Sequence, residues 1–335
     1  MATAEEFGLN FQAEEAVSKD SKIWVAGHKG LVGSAVVRRL QNGGYNNVII
    51  PQEFVDLCDP TATDAFFEQH KPEFVICAAA KVGGILANDT YPADFIQINL
   101  MIQNNVIVNC HKHKVKKLLF LGSSCIYPKL APQPMKEEHL LTGKLESTND
   151  AYAIAKISGI VMCKSFNRQH GTNFIAAMPT NLYGPGDNFN LKGSHVLPAM
   201  IRKFHEGKLK NSPSIELWGT GTPKREFLYV DDLADGLLYL LNHFNAGNAK
   251  EDEKMFVNIG VGEDVTIKEV AEMVKQTVGY EGEIVWNTAM PDGTPRKLMD
   301  VSRLSSLGWK AKTSLADGIK LAYQWFLDNQ DNFRD

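Results

Sequence analysis

The sequence predicts an α/β fold: a doubly wound parallel sheet with a smaller C-terminal α/β substrate domain. Three observations carry this. From Lys22 to Ala177 short apolar runs alternate with stretches of helical period, the pattern of strands joined by crossover helices. The first apolar run ends in a glycine-rich turn that opens a helix. Beyond Gly186 the alternation weakens and the loops lengthen, which marks a second unit.

Lys22 to Ala26, Lys-Ile-Trp-Val-Ala, reads as a short buried strand. It runs into Gly27-His28-Lys29-Gly30-Leu31-Val32-Gly33 and then an amphipathic helix from Ser34 to Leu40. Without side chains, Gly27 and Gly30 let the backbone approach a pyrophosphate, and Gly33 lets helix and strand pack closely. The helix N-terminus attracts the anion. The spacing is G-x-x-G-x-x-G, which in isolation is also that of an ordinary turn; the flanking strand and helix favour the nucleotide site. Asn47 to Ile50 reads as a second strand, and Thr61 to His70 as a helix opened by Asp59-Pro60. Phe74 to Ala79 is a third strand, Pro92 to His113 a long helix, and Leu118 to Leu121 a fourth strand. That strand ends in Gly122-Ser123-Ser124-Cys125-Ile126-Tyr127-Pro128. A long, proline-bearing loop from Lys129 to Asp150 delivers a helix that runs to about His170, and Phe174 to Ala177 is a fifth strand. Ligands of such sheets meet the carboxyl ends of the strands, where Lys81, Ser123 and Asn181 fall.

Within the helix after that loop, Tyr152 and Lys156 are four apart and share one face. A phenol titrates near pH ~10, and an ammonium fixed beside it favours the phenolate. Tyr152 is therefore a candidate general acid or base with Lys156 as its tuner. Taken alone, the pair is more often a surface lysine beside a half-buried ring.

The 335 residues carry a net charge of −4, so bulk attraction to nucleic acid or an anionic membrane is not expected. An anionic substrate must be met by local cations. The second half supplies them: a basic helix from Met200 to Glu206 with Arg202 and Lys203, then Arg225, Arg296 and Lys297. Arginine forks bind phosphate oxygens bidentately. Glu216 to Gly219 resembles a short strand whose Trp218 suits a base or ribose face. Asp231 and Asp232 open a helix and stabilise its N-terminus, so no metal is implied. Phe256 to Ile259 returns to the sheet and Leu315 to Leu327 closes the chain as an amphipathic helix. The expected division is a tail over 1–20, a nucleotide-binding domain over 21–185 with returning segments near 228–260, and a substrate domain over 186–227 and 261–335. The tail holds Glu5, Glu6, Glu14 and Glu15, unlike a signal peptide, and reads as frayed chain or a short surface helix. Five cysteines without a Cys-x-x-Cys pair fit the reduced thiols of a cytoplasmic protein.

Taken together these parts resemble the extended short-chain dehydrogenase/reductases, which combine G-x-x-G-x-x-G, Y-x-x-x-K and a serine after the fourth strand of a Rossmann-type sheet. The likeness extends to Ala78 to Gly84, Tyr91 to Phe95, Gly122 to Pro128, Met178 to Pro185, Arg225-Glu226-Phe227 with Val230-Asp231-Asp232, and Pro291 to Leu298. It implies NADPH as cofactor, GDP-4-keto-6-deoxy-D-mannose as substrate, and epimerisation at positions 3 and 5 followed by reduction of the 4-keto group. It implies Ser123, Tyr152 and Lys156 as the reducing set, with Cys125 and His195 as the acid/base pair of epimerisation. A thiol near ~8.5 and an imidazole near ~6.5 straddle neutrality and suit that exchange. Composition alone makes Cys125 a small buried hydrophobe and His195 a surface or capping residue; the surrounding motifs reverse this. Cys58, Cys77, Cys110 and Cys163 are read as structural. The cofactor set implied is Gly27, His28, Lys29, Gly30, Leu31, Val32, Gly33, Leu121, Gly122, Tyr152, Lys156, Pro179, Thr180, Asn181, Leu182 and His195. The substrate set is Lys203, Trp218, Arg225, Asp292 and Lys297. Family members are homodimers joined through two long helices, here Phe95 to Cys110 and Ile154 to Phe166. Cofactor choice is where the chain departs from the pattern: Ile50-Pro51-Gln52-Glu53 lacks the usual cation, while Lys29, Arg38 and Arg39 favour NADPH. Two other readings stand beside this one. An epimerase or dehydratase returning its hydride usually pairs Asp and Glu after the serine, where this chain has Ser124 and Cys125. A non-catalytic NADP sensor usually loses the tyrosine or lysine.

Overall fold

The computed structural model describes residues 2–191, 193–247, 254–290 and 292–330. Its centre is a six-stranded, all-parallel sheet. The strands are β1 (Ile23–Ala26), β2 (Val48–Ile49), β3 (Phe74–Cys77), β4 (Lys117–Leu121), β5 (Phe174–Pro179) and β6 (Phe256–Ile259), in the order β6-β5-β4-β3-β1-β2. The inner strands are buried on both faces, which is why they read as unbroken apolar runs such as Phe-Val-Ile-Cys. The strand order turns back between β1 and β3, so their carboxyl ends open a crevice there.

Helices cover both faces. Leu31–Asn42 and Val230–His243 pack Val36, Leu40, Leu237 and Leu241 on one side. Pro92–Lys112 and Asp150–His170 pack Val106, Ile107, Ile160 and Cys163 on the other. A separate core gathers Leu197, Ile201 and Phe204 of Val196–Leu209 with Val270, Val274 and Phe326. It lies against the parallel pair Ser214–Trp218 and Glu283–Asn287. A three-stranded sheet orders Val265–Thr266, Lys224–Arg225 and Arg296–Lys297. Among the described residues no helix is long and apolar enough to cross a membrane.

Three elements differ from the sequence reading. The N-terminal segment is neither frayed nor helical: Asn10–Phe11 pairs antiparallel with Phe244–Asn245, and Leu9 and Val17 enter the core. Two isolated apolar residues in a polar stretch gave no periodic signal; a sheet edge gave them a partner. A short helix, Ile85–Thr90, occupies what reads as loop. The helix expected from Met200 begins at Val196, because His195 already adopts the extended cap conformation.

Candidate active site

The glycine turn sits at the crevice between β1 and β3. Gly27 has φ +86°, and a Cβ there would lie 2.7 Å from the Ala79 backbone nitrogen, an atom that cannot give way. A Cβ on Gly33 would lie 2.6 Å from the Gly27 carbonyl carbon. The turn is thus closed to side chains and open to a ligand. Gly30 caps the following helix without a side-chain hydrogen bond, leaving the first amides for an anion. Among the described residues His28 Nε2 is buried with no hydrogen-bond partner, and Lys29 beside it is exposed. These features fit a dinucleotide pyrophosphate. Arg38 and Arg39, expected to favour a 2′-phosphate, are otherwise engaged. Arg38 Nη2 meets Asp231 Oδ1 at 2.6 Å and Arg39 Nε meets Asp235 Oδ1 at 2.8 Å, both tying Leu31–Asn42 to Val230–His243. Lys29 remains the accessible cation of the turn. Asp232 likewise does more than face a helix dipole: it accepts from the Lys312 and Thr313 amides at 2.9 and 2.7 Å.

At the carboxyl end of β4, Ser123 precedes a single 3-10 turn, Ser124–Ile126, and its Oγ accepts from the Cys125 amide at 3.5 Å. The same hydroxyl lies near enough to the Tyr152 phenol and the Cys125 thiol to favour the charged form of each. Lys156 is buried; its ammonium donates to the Leu121 carbonyl at 2.9 Å and lies 5.0 Å from the Phe120 ring centre and 5.8 Å from that of Tyr152. Burial lowers its pKa. Ser123, Cys125, Tyr152 and Lys156 therefore form one cluster. Its electrostatics reverse two expectations. Tyr152 is not acidified: burial, with the Cys125 charge, drives its pKa well above the usual phenol value. Cys125 is only 7% exposed, and burial raises its pKa too. A spacing of four residues gives proximity; it cannot give the desolvation that dominates here. His195 lies apart from this cluster as the cap of Val196–Leu209, and among the described residues it makes no hydrogen bond or ring contact with the cluster. It is exposed to solvent, and partial desolvation by the surrounding protein lowers its pKa.

The remaining cofactor candidates follow β5. Thr180 Oγ1 and Asn181 Nδ2 donate to the Glu226 carbonyl at 3.3 and 2.8 Å, and Leu182 pairs with Leu228. Pro179 ends β5 beside Ile259 of β6. The Gly122 amide donates to the Ala177 carbonyl at 3.0 Å. On the other wall, the Lys203 ammonium lies 6.0 Å from the Trp218 ring centre and donates to the Glu216 carbonyl at 3.2 Å. Asp292 accepts from the Thr220 amide and hydroxyl at 2.6 and 2.9 Å. It also faces Arg225 and supports its charge against burial. Lys297 pairs in register with Arg225.

Residues 23–260 match the family described as NAD dependent epimerase/dehydratase. GDP-L-fucose synthase 1 of Arabidopsis thaliana is 56% identical over 94% of this chain and 95% of its own length. GDP-L-fucose synthase of Escherichia coli (strain K12) is 51% identical over 93% and 98%. The chain belongs to the NAD dependent epimerase/dehydratase family, in its GDP-L-fucose synthase branch. Solved structures agree in shape. A gdp-l-fucose synthetase from Naegleria fowleri bound to NADP superposes with TM-score 0.89 at 28% identity, covering 97% of this chain and 98% of that one. A GDP-6-OMe-4-keto-L-xylo-heptose reductase from C. jejuni gives 0.88 at 43%, covering 93% and 99%.

As an epimerase/dehydratase family member the chain has supporting residues that sequence reasoning passed over. Phe95, 2% exposed, sets its ring edge-on to Tyr152 at 6.2 Å. Glu226 is fully buried; its Oε1 accepts from the Val261 and Gly262 amides at 2.6 and 2.7 Å, and its Oε2 from the Met299 amide at 3.0 Å. A carboxylate between an arginine and a phenylalanine signals little in a sequence, because its three donors come from two distant segments.

Proposed function

We propose that this protein epimerises GDP-4-keto-6-deoxy-D-mannose at positions 3 and 5 and then reduces the 4-keto group with NADPH, giving GDP-L-fucose. The observation that carries this reading is buried Cys125 seated beside Ser123, its amide on the Ser123 hydroxyl at 3.5 Å and its charge felt by the Tyr152 phenol. A reductase needs only the phenol; a thiol in the same pocket gives a second proton carrier beside the ketone. The chain's likeness to named GDP-L-fucose synthases supports the substrate class.

Ser123 and Tyr152 donate to the ketone oxygen and stabilise the charge that develops there, first as an enolate and then as an alkoxide. Cys125 and His195 carry protons to and from the two flanking carbons. His195, whose pKa its surroundings lower, favours the neutral form that can accept a proton. When bound, NADPH supplies the hydride. The glycine turn from Gly27 to Gly33, Leu121, Gly122, Lys156 and Pro179 to Leu182 would hold it, with Lys29 meeting its 2′-phosphate. Tyr152 then delivers its proton to the oxygen. A phenol whose pKa is raised keeps that proton until an alkoxide, a far stronger base, takes it. Arg225, Lys203, Trp218 and Asp292 receive the nucleotide diphosphate.

The test incubates the protein with GDP-4-keto-6-deoxy-D-mannose and NADPH or NADH in deuterated water. Deuterium at positions 3 and 5, a GDP-L-fucose product and faster turnover with NADPH are expected. Reduction without exchange would make it a plain 4-reductase. In Cys125→Ser, exchange should fall far more than hydride transfer. We further assign the protein to the cytoplasm, consistent with five free thiols, and to a homodimer argued below.

A further inference from the structure

The short helix Ile85–Thr90 and the two glycines before it touch three parts of the candidate site. A Cβ on Gly83 would lie 3.0 Å from Phe95 Cζ, and the Phe95 ring sits edge-on to Tyr152 at 6.2 Å. A Cβ on Gly84 would lie 3.1 Å from the carbonyl oxygen of Ser194, the residue before His195. The Gly84 amide donates to the Gly193 carbonyl at 3.4 Å. Asn88, 6% exposed, fixes the glycine pair: its Nδ2 donates to the Gly83 and Gly84 carbonyls at 2.8 and 3.0 Å. The third contact runs to the phosphate wall. A Cβ on Gly293 would lie 3.5 Å from Arg225 Nη2 and 3.8 Å from Ile85 Cδ1. The guanidinium and the aliphatic side chain thus meet across one glycine.

Ile85 therefore stands between the phenol and the histidine loop on one side and Arg225 on the other. Its side chain is nevertheless 61% exposed, and its neighbours Val82 and Leu86 are 63% and 57% exposed. An apolar group left facing water gains free energy when another apolar group covers it. A hexose tied to a diphosphate at C1 and held by its ketone at C4 must span this same interval. Along that span the ring carries hydroxyls at C2 and C3 and one apolar substituent, the C6 methyl on C5. A hydroxyl set against Ile85 would leave water with no hydrogen bond in return, whereas a methyl gives up none.

We propose that Ile85 is a specificity-determining residue that receives the C6 methyl of the substrate and disfavours sugars carrying a hydroxyl there. It rests on the reading given above and narrows the substrate class of the same site to 6-deoxy sugars. Ile85 forms no bond and moves no proton; it selects by contact.

The experiment compares GDP-4-keto-6-deoxy-D-mannose with its 6-hydroxy counterpart, GDP-4-keto-D-mannose, in the native protein and in Ile85→Asn, Ile85→Ala and Ile85→Leu. The native protein is expected to favour the 6-deoxy sugar in kcat/KM by about 10–100-fold. Ile85→Asn and Ile85→Ala should shrink that ratio about tenfold, with the loss falling on the 6-deoxy sugar, and Ile85→Leu should keep most of it. The affinity for GDP, which carries no sugar, should not change. A ratio that is the same in Ile85→Asn and Ile85→Ala as in the native protein overturns the proposal, as does a native protein with no preference. Calorimetric titration with GDP-L-fucose and GDP-L-galactose, which differ by the same C6 hydroxyl, gives a second ratio that needs no turnover. If the native protein turns over neither ketone, the epimerase/reductase reading fails, and the ratio of these two dissociation constants still decides what Ile85 does.

Discussion

Tyr152 and Asp187 show what burial does to single groups. The phenol is neutral throughout the working range because its anion would be desolvated, so it acts as a proton donor. Tyr152→Phe should therefore lower the rate of ketone reduction by about 10²–10⁴-fold while leaving NADPH binding intact, as single-turnover kinetics and fluorescence titration would read. Asp187 lies in the loop before His195; among the described residues its Oδ2 is buried without a hydrogen-bond partner, and burial raises its pKa to about 7 from 3.8. The folded state then binds more protons than the unfolded state between those values, so stability falls as pH rises through that window and levels above it. Asp187→Asn removes the charge penalty. Its melting temperature should exceed the native one at pH about 8 and lose that advantage near pH 4. An advantage that persists in acid would contradict this account.

At the level of elements, the helix Asp150–His170 carries Tyr152 and Lys156 and packs against Pro92–Lys112. Gln103 Nε2 crosses between them to the Ala155 carbonyl at 2.6 Å and the Ser158 hydroxyl at 2.7 Å. Gly159 faces the sheet, where a Cβ would lie 2.7 Å from Phe120 Cε1. The same ring lies beneath the Lys156 ammonium. Gly159→Ala should cost about 1–3 kcal/mol in denaturant unfolding and slow reduction through a displaced lysine. A variant that is fully stable and fully active would show the contact to be slack. The helix Pro60–His70 was marked in advance by Asp59-Pro60, and Asp59 Oδ1 indeed accepts from the Thr61 amide at 2.8 Å. Asp59→Ala should lose about 1 kcal/mol by the same measurement.

For the whole molecule, the outer side of the helix pair is conspicuously apolar. Met101 and Val108 are 38% and 40% exposed on one helix, and Ile154 and Val161 are 44% and 43% exposed on the other. Two copies packed along this side would make a four-helix bundle and cover all four. Val161→Lys should halve the mass seen by sedimentation equilibrium; a native protein that already sediments at monomer mass would remove the dimer. The sheet supplies the other large-scale feature, since the glycine turn, the serine turn and Thr180-Asn181 reach the same edge from β1, β4 and β5. Three segments scattered over the chain meet because all strands are parallel and end on the same side.

The sequence by itself determined the strands, the crossover helices and the Tyr152–Lys156 pair, while Ser123 and Cys125 joined them only through the family resemblance. Periodicity, glycine spacing and short-range offsets are local, and each survives in a linear reading. Only the tertiary structure decided the charge states within that cluster, because desolvation depends on what covers a group and not on its neighbours in sequence. It alone also engaged Arg38 and Arg39 with Asp231 and Asp235, seated the N-terminal segment on a sheet edge, and tied Met299 and Asp300 to Glu226 and Asn258. Each of these joins residues far apart in the chain, and no periodic pattern records a contact of that kind.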